Sequence, residues 1–136
     1  MIYDITPPVT PRLGVWPGDT PPSREVLCDI ARGDNITLST LRATVHLGAH
    51  ADAPSHYGRD APAIEDRSLD YYLGPCQVVR IEARRETRVT LPDLEVRAER
   101  VLLATGTFPD PEDFNTDFAA YDPAFIGLLH ERGVRL

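Results

Sequence analysis

A chain of 136 residues with 42% hydrophobic side chains is long enough for one domain with a real core. Its 14 Lys and Arg against 21 Asp and Glu give a net charge of -7, which argues against the basic face that a nucleic-acid partner demands. No apolar run is long enough to span a bilayer, and the opening Met1-Ile2-Tyr3-Asp4-Ile5 lacks the charged-then-apolar order of a signal peptide, so the expectation is a cytoplasmic protein with no membrane partner.

In chain order, residues 2–5 are a strand candidate ended by Thr6-Pro7-Pro8. Prolines then crowd residues 6–22, which read as a stiff irregular loop, because each one removes a donor and a degree of freedom. The only tryptophan, Trp16, stands in this loop between Val15 and Pro17. A large flat side chain held there can pack on an aromatic ligand or plug the end of a sheet, and the residues alone leave both open. Residues 24–30 can form a strand, and Asp34-Asn35 a turn. Residues 36–47 are rich in β-branched side chains with near-alternating polarity that slips at Ser39-Thr40, so a bulged strand is expected to deliver His46 at its end.

Cys28 and Cys76 form neither a C-x-x-C pair nor a disulfide framework and read as reduced packing thiols. Residues 68–74 can form one helical turn closed by Gly74, in which Tyr71 and Tyr72 read as packing residues. Residues 76–81 form the next strand candidate, residues 83–99 are charged and weakly patterned, and residues 101–105 look like a strand buried on both faces. The final helix has clear punctuation: Asp122 as N-cap, Pro123 at the first position, Gly133 past the end, and Phe125, Leu128 and Leu129 as its apolar face. His130 in its last turn reads as exposed or capping. Val134-Arg135-Leu136 looks like the start of a further strand, so the sequence reads as incomplete at its C-terminal end.

The chemistry concentrates in residues 46–56, which hold three of the four histidines and an aspartate. On an extended chain His46 and His50 would stand ~13 Å apart, whereas ligands of one ion at ~2.0–2.2 Å need donor atoms within about 4 Å of each other. The backbone must therefore turn between them, and Gly48 lies midway, free to take a positive φ. His46, His50 and Asp52 then supply two imidazoles and a carboxylate, a set suited to zinc and, with less preference, to manganese or iron. Three protein ligands leave a position open for water, the catalytic pattern. Pro54 stiffens the exit and aims His56 separately, as a proton-transfer group rather than a fourth ligand.

The run His46-Leu47-Gly48-Ala49-His50-Ala51-Asp52-Ala53-Pro54-Ser55-His56 resembles the H-x-G-T-H-x-D-A-P-x-H signature of the cyclase-type metal hydrolases, and most of all their bacterial kynurenine formamidase (arylformamidase) branch. Asp4-Ile5-Thr6-Pro7-Pro8-Val9, Val15-Trp16-Pro17-Gly18-Asp19-Thr20-Pro21, Tyr72-Leu73-Gly74-Pro75-Cys76 and Leu103-Ala104-Thr105-Gly106-Thr107 resemble it in register. Ala49 stands where the family has threonine, which removes a supporting hydrogen bond near the metal. The resemblance implies an α/β fold of the swivelling β/β/α type, with a mixed β-sheet or barrel-like β core and outer helices. Residues 1–136 would be the N-terminal portion of that single domain, since the family chain continues with an I-D-T-x-S segment and a second-site His and Glu that this sequence does not contain.

The same resemblance implies two zinc ions per complete site, with His46, His50 and Asp52 as ligands of the first and Asp52 as the bridge. It makes His56 the acid/base and Trp16 the substrate contact, with a small aryl formamide as substrate and a homodimer or larger homo-oligomer as the assembly. The implied reaction is hydrolysis of N-formyl-L-kynurenine to L-kynurenine and formate in tryptophan catabolism. Two alternatives stand beside it: another cyclase-family hydrolase of the isatin hydrolase kind, and an inactive metal-binding or oligomerising remnant.

Overall fold

The structure, a computed structural model, describes residues 3–136. Two compact units make up the chain, one of residues up to Asp52 together with Asp110–Phe114, the other of Ala53–Pro109 and Asn115–Leu136.

In the first unit, residues 3–5 are not in a strand, and Ile2 lies outside the described residues. Residues 6–22 are irregular as expected, with Leu13 buried among them at 5% exposure. Two strands follow, β1 (Ser23–Cys28) and β2 (Leu38–Arg42), paired antiparallel from Ser23 opposite Arg42 to Cys28 opposite Leu38. Asp29 caps the short 3-10 turn Ile30–Arg32 between them, and Gly33 closes it with φ 98°. The irregularity expected in the second strand lies in the first, between Val26 and Cys28.

β2 is shorter than expected and ends at Arg42, so His46 stands beyond the strand. The reason lies opposite it. Pro21 and Pro22 precede β1 and have no N–H to offer the ladder, so pairing stops there. The Thr44 N–H turns instead to the Thr20 carbonyl at 3.0 Å.

The second unit holds β3 (Cys76–Arg80), β4 (Arg88–Val89), β5 (Arg100–Ala104), β6 (Ala120–Tyr121) and α1 (Pro123–Glu131). β3 pairs parallel with β5, from Cys76 opposite Arg100 to Arg80 opposite Ala104, and β4 pairs parallel with β6. The Asp122 side chain accepts the Ala124 N–H at 2.8 Å, which starts α1 where the sequence placed its cap. Phe125 and Leu129 face inward to form the core with Val101 and Val134, and Tyr121, Leu103 and Leu128 pack against it. Burying a phenylalanine to 2% exposure makes Phe125 the largest single contributor, since truncation of such a side chain costs about 3–5 kcal/mol.

Val134–Leu136, expected to open a further strand, is not itself a strand but is bonded to β5: the Arg135 and Leu136 N–H groups donate to the Glu99 carbonyl, and the Val101 N–H to the Leu136 carbonyl at 2.8 Å. Other details depart from expectation. Leu102 is 43% exposed, so β5 is not covered on both faces, and Cys76 is exposed rather than packed. The 3-10 turn Leu69–Tyr71 forms with Ser68 as its cap, and the buried Arg100 guanidinium donates to the carbonyls of Asp70 and Tyr71 that end it.

Parallel and antiparallel pairs with a helix make this a mixed α/β fold, but no closed barrel forms among the described residues. The charged run after β3 and the Pro- and Gly-rich run after β5 supply only two-residue strands, too short to close a sheet. Among the described residues no helix is long and apolar enough to cross a membrane.

Candidate metal centre

Beyond β2 the chain bends, and the Thr44 hydroxyl accepts the His46 N–H at 3.1 Å. Gly48 then takes φ 60°, the left-handed conformation that reverses the backbone, with the Leu13 and Pro7 side chains at van der Waals distance from the position a Cβ would fill. The reversal returns His50 to His46. His46 Nδ1 lies 3.1 Å from His50 Nε2 and 2.9 Å from Asp52 Oδ1, and His50 Nε2 lies 3.2 Å from the same oxygen.

These three atoms form a nearly equilateral triangle. Ligands at ~2.1 Å around a tetrahedral ion stand about 3.4 Å apart, so little movement separates this triangle from one face of a coordination shell. Lone-pair atoms so close repel one another unless a positive group sits among them. A proton on His46 Nδ1 can serve, and so can a divalent ion. The side chains are about one-third exposed, at 33%, 32% and 39%, which leaves the outer side open to water or substrate.

The remaining nitrogen of His50 fixes its orientation. His50 Nδ1 sits 2.9 Å from the Gly48 carbonyl, an acceptor only, so that nitrogen carries the proton and Nε2 presents its lone pair to the triangle. Gly48 therefore both turns the chain and sets the tautomer. Asp19 stands behind His46: its carboxylate accepts the Thr44 hydroxyl at 2.5 Å and the Thr20 N–H at 2.7 Å. The Thr44 hydrogen bond, then the Thr20 amide, hold the Asp19 carboxyl below the usual carboxylate range against an opposing effect of burial.

Trp16 belongs to the same unit and is 56% exposed. Its indole meets the Phe114 ring edge to face, so it is neither free-standing nor a core plug. His56 lies in the other unit, at the last position of the 3-10 turn Pro54–His56, exposed and edge-on to Tyr57 with ring centroids 4.4 Å apart. His130 is exposed in the last turn of α1, as expected. Sequence reasoning missed Asp19, Thr44 and Phe114. The first two had a signal, a hydroxyl two residues before a ligand and an acid after a Pro-Gly turn. Phe114 had none.

The fold is shared with a solved structure described as "predicted metal-dependent hydrolase from Bacillus stearothermophilus", at a TM-score of 0.74 and 22% sequence identity over 97% of this chain. The chain spans 64% of that neighbour's length. The family model named Cyclase, described as "Putative cyclase", matches residues 3–136, and the chain that closes His46, His50 and Asp52 into one triangle belongs to that family.

Proposed function

We propose that this chain carries the first-metal half of a metal-dependent amide hydrolase site of the arylformamidase kind, acting on N-formyl-L-kynurenine to give L-kynurenine and formate. The observation that carries the reading is the donor triangle of His46 Nδ1, His50 Nε2 and Asp52 Oδ1, with sides of 3.1, 2.9 and 3.2 Å. Two imidazoles and a carboxylate favour zinc, with manganese the alternative.

His46, His50 and Asp52 would hold a divalent ion, which would supply Lewis acidity and make water a nucleophile near neutral pH. The chain's own side chains do the rest. Trp16, half-exposed and braced by Phe114, offers its face to the substrate's aryl ring. His56 takes a proton from the attacking water and returns it to the aryl amine nitrogen as the carbon–nitrogen bond breaks, because that amine leaves poorly without it. Water thus adds to the formyl carbon, and the products are formate and the free amine.

The apolar side chains that the first unit leaves exposed, among them Leu41 at 66% and Val45 at 87%, favour association of copies into a homo-oligomer. The acidic balance and the two unbridged thiols fit a cytoplasmic setting.

The test is metal-loaded protein assayed for formate release from N-formyl-L-kynurenine and, separately, for ring opening of isatin. Formate release with zinc, lost in His50→Ala, is the expected result. Isatin opening without formate release moves the protein to the other hydrolase class. Metal uptake with neither activity leaves a metal-binding module.

A further inference from the structure

Trp16 and His46 stand at the two ends of one hydrogen-bonded path. The path begins in a reverse turn over Trp16, Pro17, Gly18 and Asp19, closed by the Asp19 N–H donating to the Trp16 carbonyl at 2.9 Å. Glycine at its third position, with φ 93°, supplies the positive φ that a type II turn requires, and proline at its second suits the same turn. Asp19 leaves this turn with both carboxylate oxygens engaged, one by the Thr20 N–H and the other by the Thr44 hydroxyl. The Thr44 oxygen, its own proton given to Asp19, accepts the His46 N–H. The Thr44 N–H donates to the Thr20 carbonyl, so two backbone segments are tied at adjacent points.

The direction of these bonds matters. A hydroxyl that donates to a carboxylate becomes a stronger acceptor for the amide behind it. β2 has already ended at Arg42, and beyond the Thr44–Thr20 backbone bond the His46 N–H is taken up by a side chain instead of a ladder carbonyl. The Thr44 side chain stands in for that carbonyl, and the backbone position of His46 is set by a side-chain acceptor that Asp19 orients.

We infer that Asp19 and Thr44 are positioning residues for His46, locking the turn that carries Trp16 and the first metal ligand into one register. The inference rests on the metal-centre reading for its consequence: two residues outside the donor triangle govern how tightly a divalent ion is held. The Thr44 bond is made to the His46 backbone rather than to its ring, so its loss should cost no more than the net worth of one hydrogen bond, roughly 2- to 10-fold in metal affinity.

The experiment compares Thr44→Val, Thr44→Ser and Asp19→Asn in the full chain, with two readouts. Amide hydrogen exchange at His46, measured by NMR on metal-free protein, should quicken roughly 2- to 10-fold in Thr44→Val and Asp19→Asn, the net worth of one hydrogen bond. Zinc affinity, with the visible absorption of bound cobalt as a monitor of ligand geometry, should fall roughly 2- to 10-fold in the same two variants. Thr44→Ser keeps the hydroxyl and should restore both. If Thr44→Val fails to fold, Asp19→Asn against Thr44→Ser decides the same question. Unchanged His46 exchange and unchanged zinc affinity in the variants overturn the inference. Wild-type protein that takes up neither zinc nor cobalt sinks the metal-dependent reading instead, and His46 exchange alone then decides the positioning claim.

Discussion

The Trp16 indole meets the Phe114 ring with centroids 5.7 Å apart and planes at 75°, an edge-to-face contact between the proline-rich opening and a loop near the far end of the chain. The backbone reinforces it. Gly14 donates to the Pro111 carbonyl at 2.8 Å, and a side chain at Gly14 would stand 3.0 Å from the Phe114 nitrogen. Arg12 holds Glu112 alongside, through Nε at 2.8 Å. The excursion Asp110–Phe114 therefore braces the loop that presents Trp16.

Phe114→Leu keeps the bulk of the side chain and removes the ring edge. Aromatic pairs of this geometry are worth about 0.5–1.5 kcal/mol, so KM for an aryl formamide should rise roughly 2- to 10-fold with kcat little changed. A formamide without a ring should show no such change. Steady-state kinetics on the two substrates makes the comparison, and equal shifts on both would mean that Phe114 supports the unit as a whole rather than the aromatic contact.

Gly48 has two duties, and alanine at that position separates them. Space is not the obstacle, since the nearest atom to a new Cβ is Leu13 Cδ2 at an ordinary 3.5 Å. The backbone is: φ 60° costs an L-residue roughly 1–2 kcal/mol. Gly48→Ala should lower the unfolding free energy, read from urea titration, by that amount and weaken zinc binding, because the Gly48 carbonyl that orients His50 moves with the strained turn. Gly48→Asn, which tolerates the left-handed region, should recover part of both.

The closing of His46, His50 and Asp52 was legible in the sequence because the geometry is local: the ligands are close in the chain, and a glycine stands where the reversal must occur. β3, β5 and α1 were legible for the same reason, through a short apolar run or a cap, a helical stripe and a terminal glycine. The end of β2 was not. Its own residues continue a strand pattern to position 47, and what stops them is the absence of N–H groups on Pro21 and Pro22 across the ladder. Phe114 was hidden more deeply, because a ring in an acidic, proline-rich loop carries no mark of the distant tryptophan it will meet.

Acid should loosen the second unit through Asp117. Asn115 donates to its Oδ1 at 2.7 Å and the Arg85 guanidinium lies at 3.3 Å, while its own carbonyl accepts the Glu86 N–H at 2.7 Å. The Asn115 hydrogen bond first, and Arg85 after it, hold this carboxyl below its ordinary range against an opposing effect of burial. A native value below the unfolded one of ~3.9 means that the stabilisation is fully present above that pH and is lost as pH falls through the native value. Asp117→Asn should therefore be less stable than wild type at pH 7, and the gap should close under acid. Urea midpoints across that range give the answer; a gap independent of pH would assign the effect to packing.

His56 tests the division of labour between holding an ion and moving a proton. It lies four residues beyond Asp52 in sequence, its ring stacked edge-on to Tyr57, and it is not part of the donor triangle. If it serves as acid and base, its removal costs the proton to the attacking water and to the departing nitrogen but leaves the ligands intact. His56→Ala should then lower kcat by about 10²–10⁴-fold while bound zinc, counted by mass spectrometry, stays at the wild-type level. Loss of zinc together with activity would instead make His56 a ligand, and the three-donor description of the site would have to become a four-donor one.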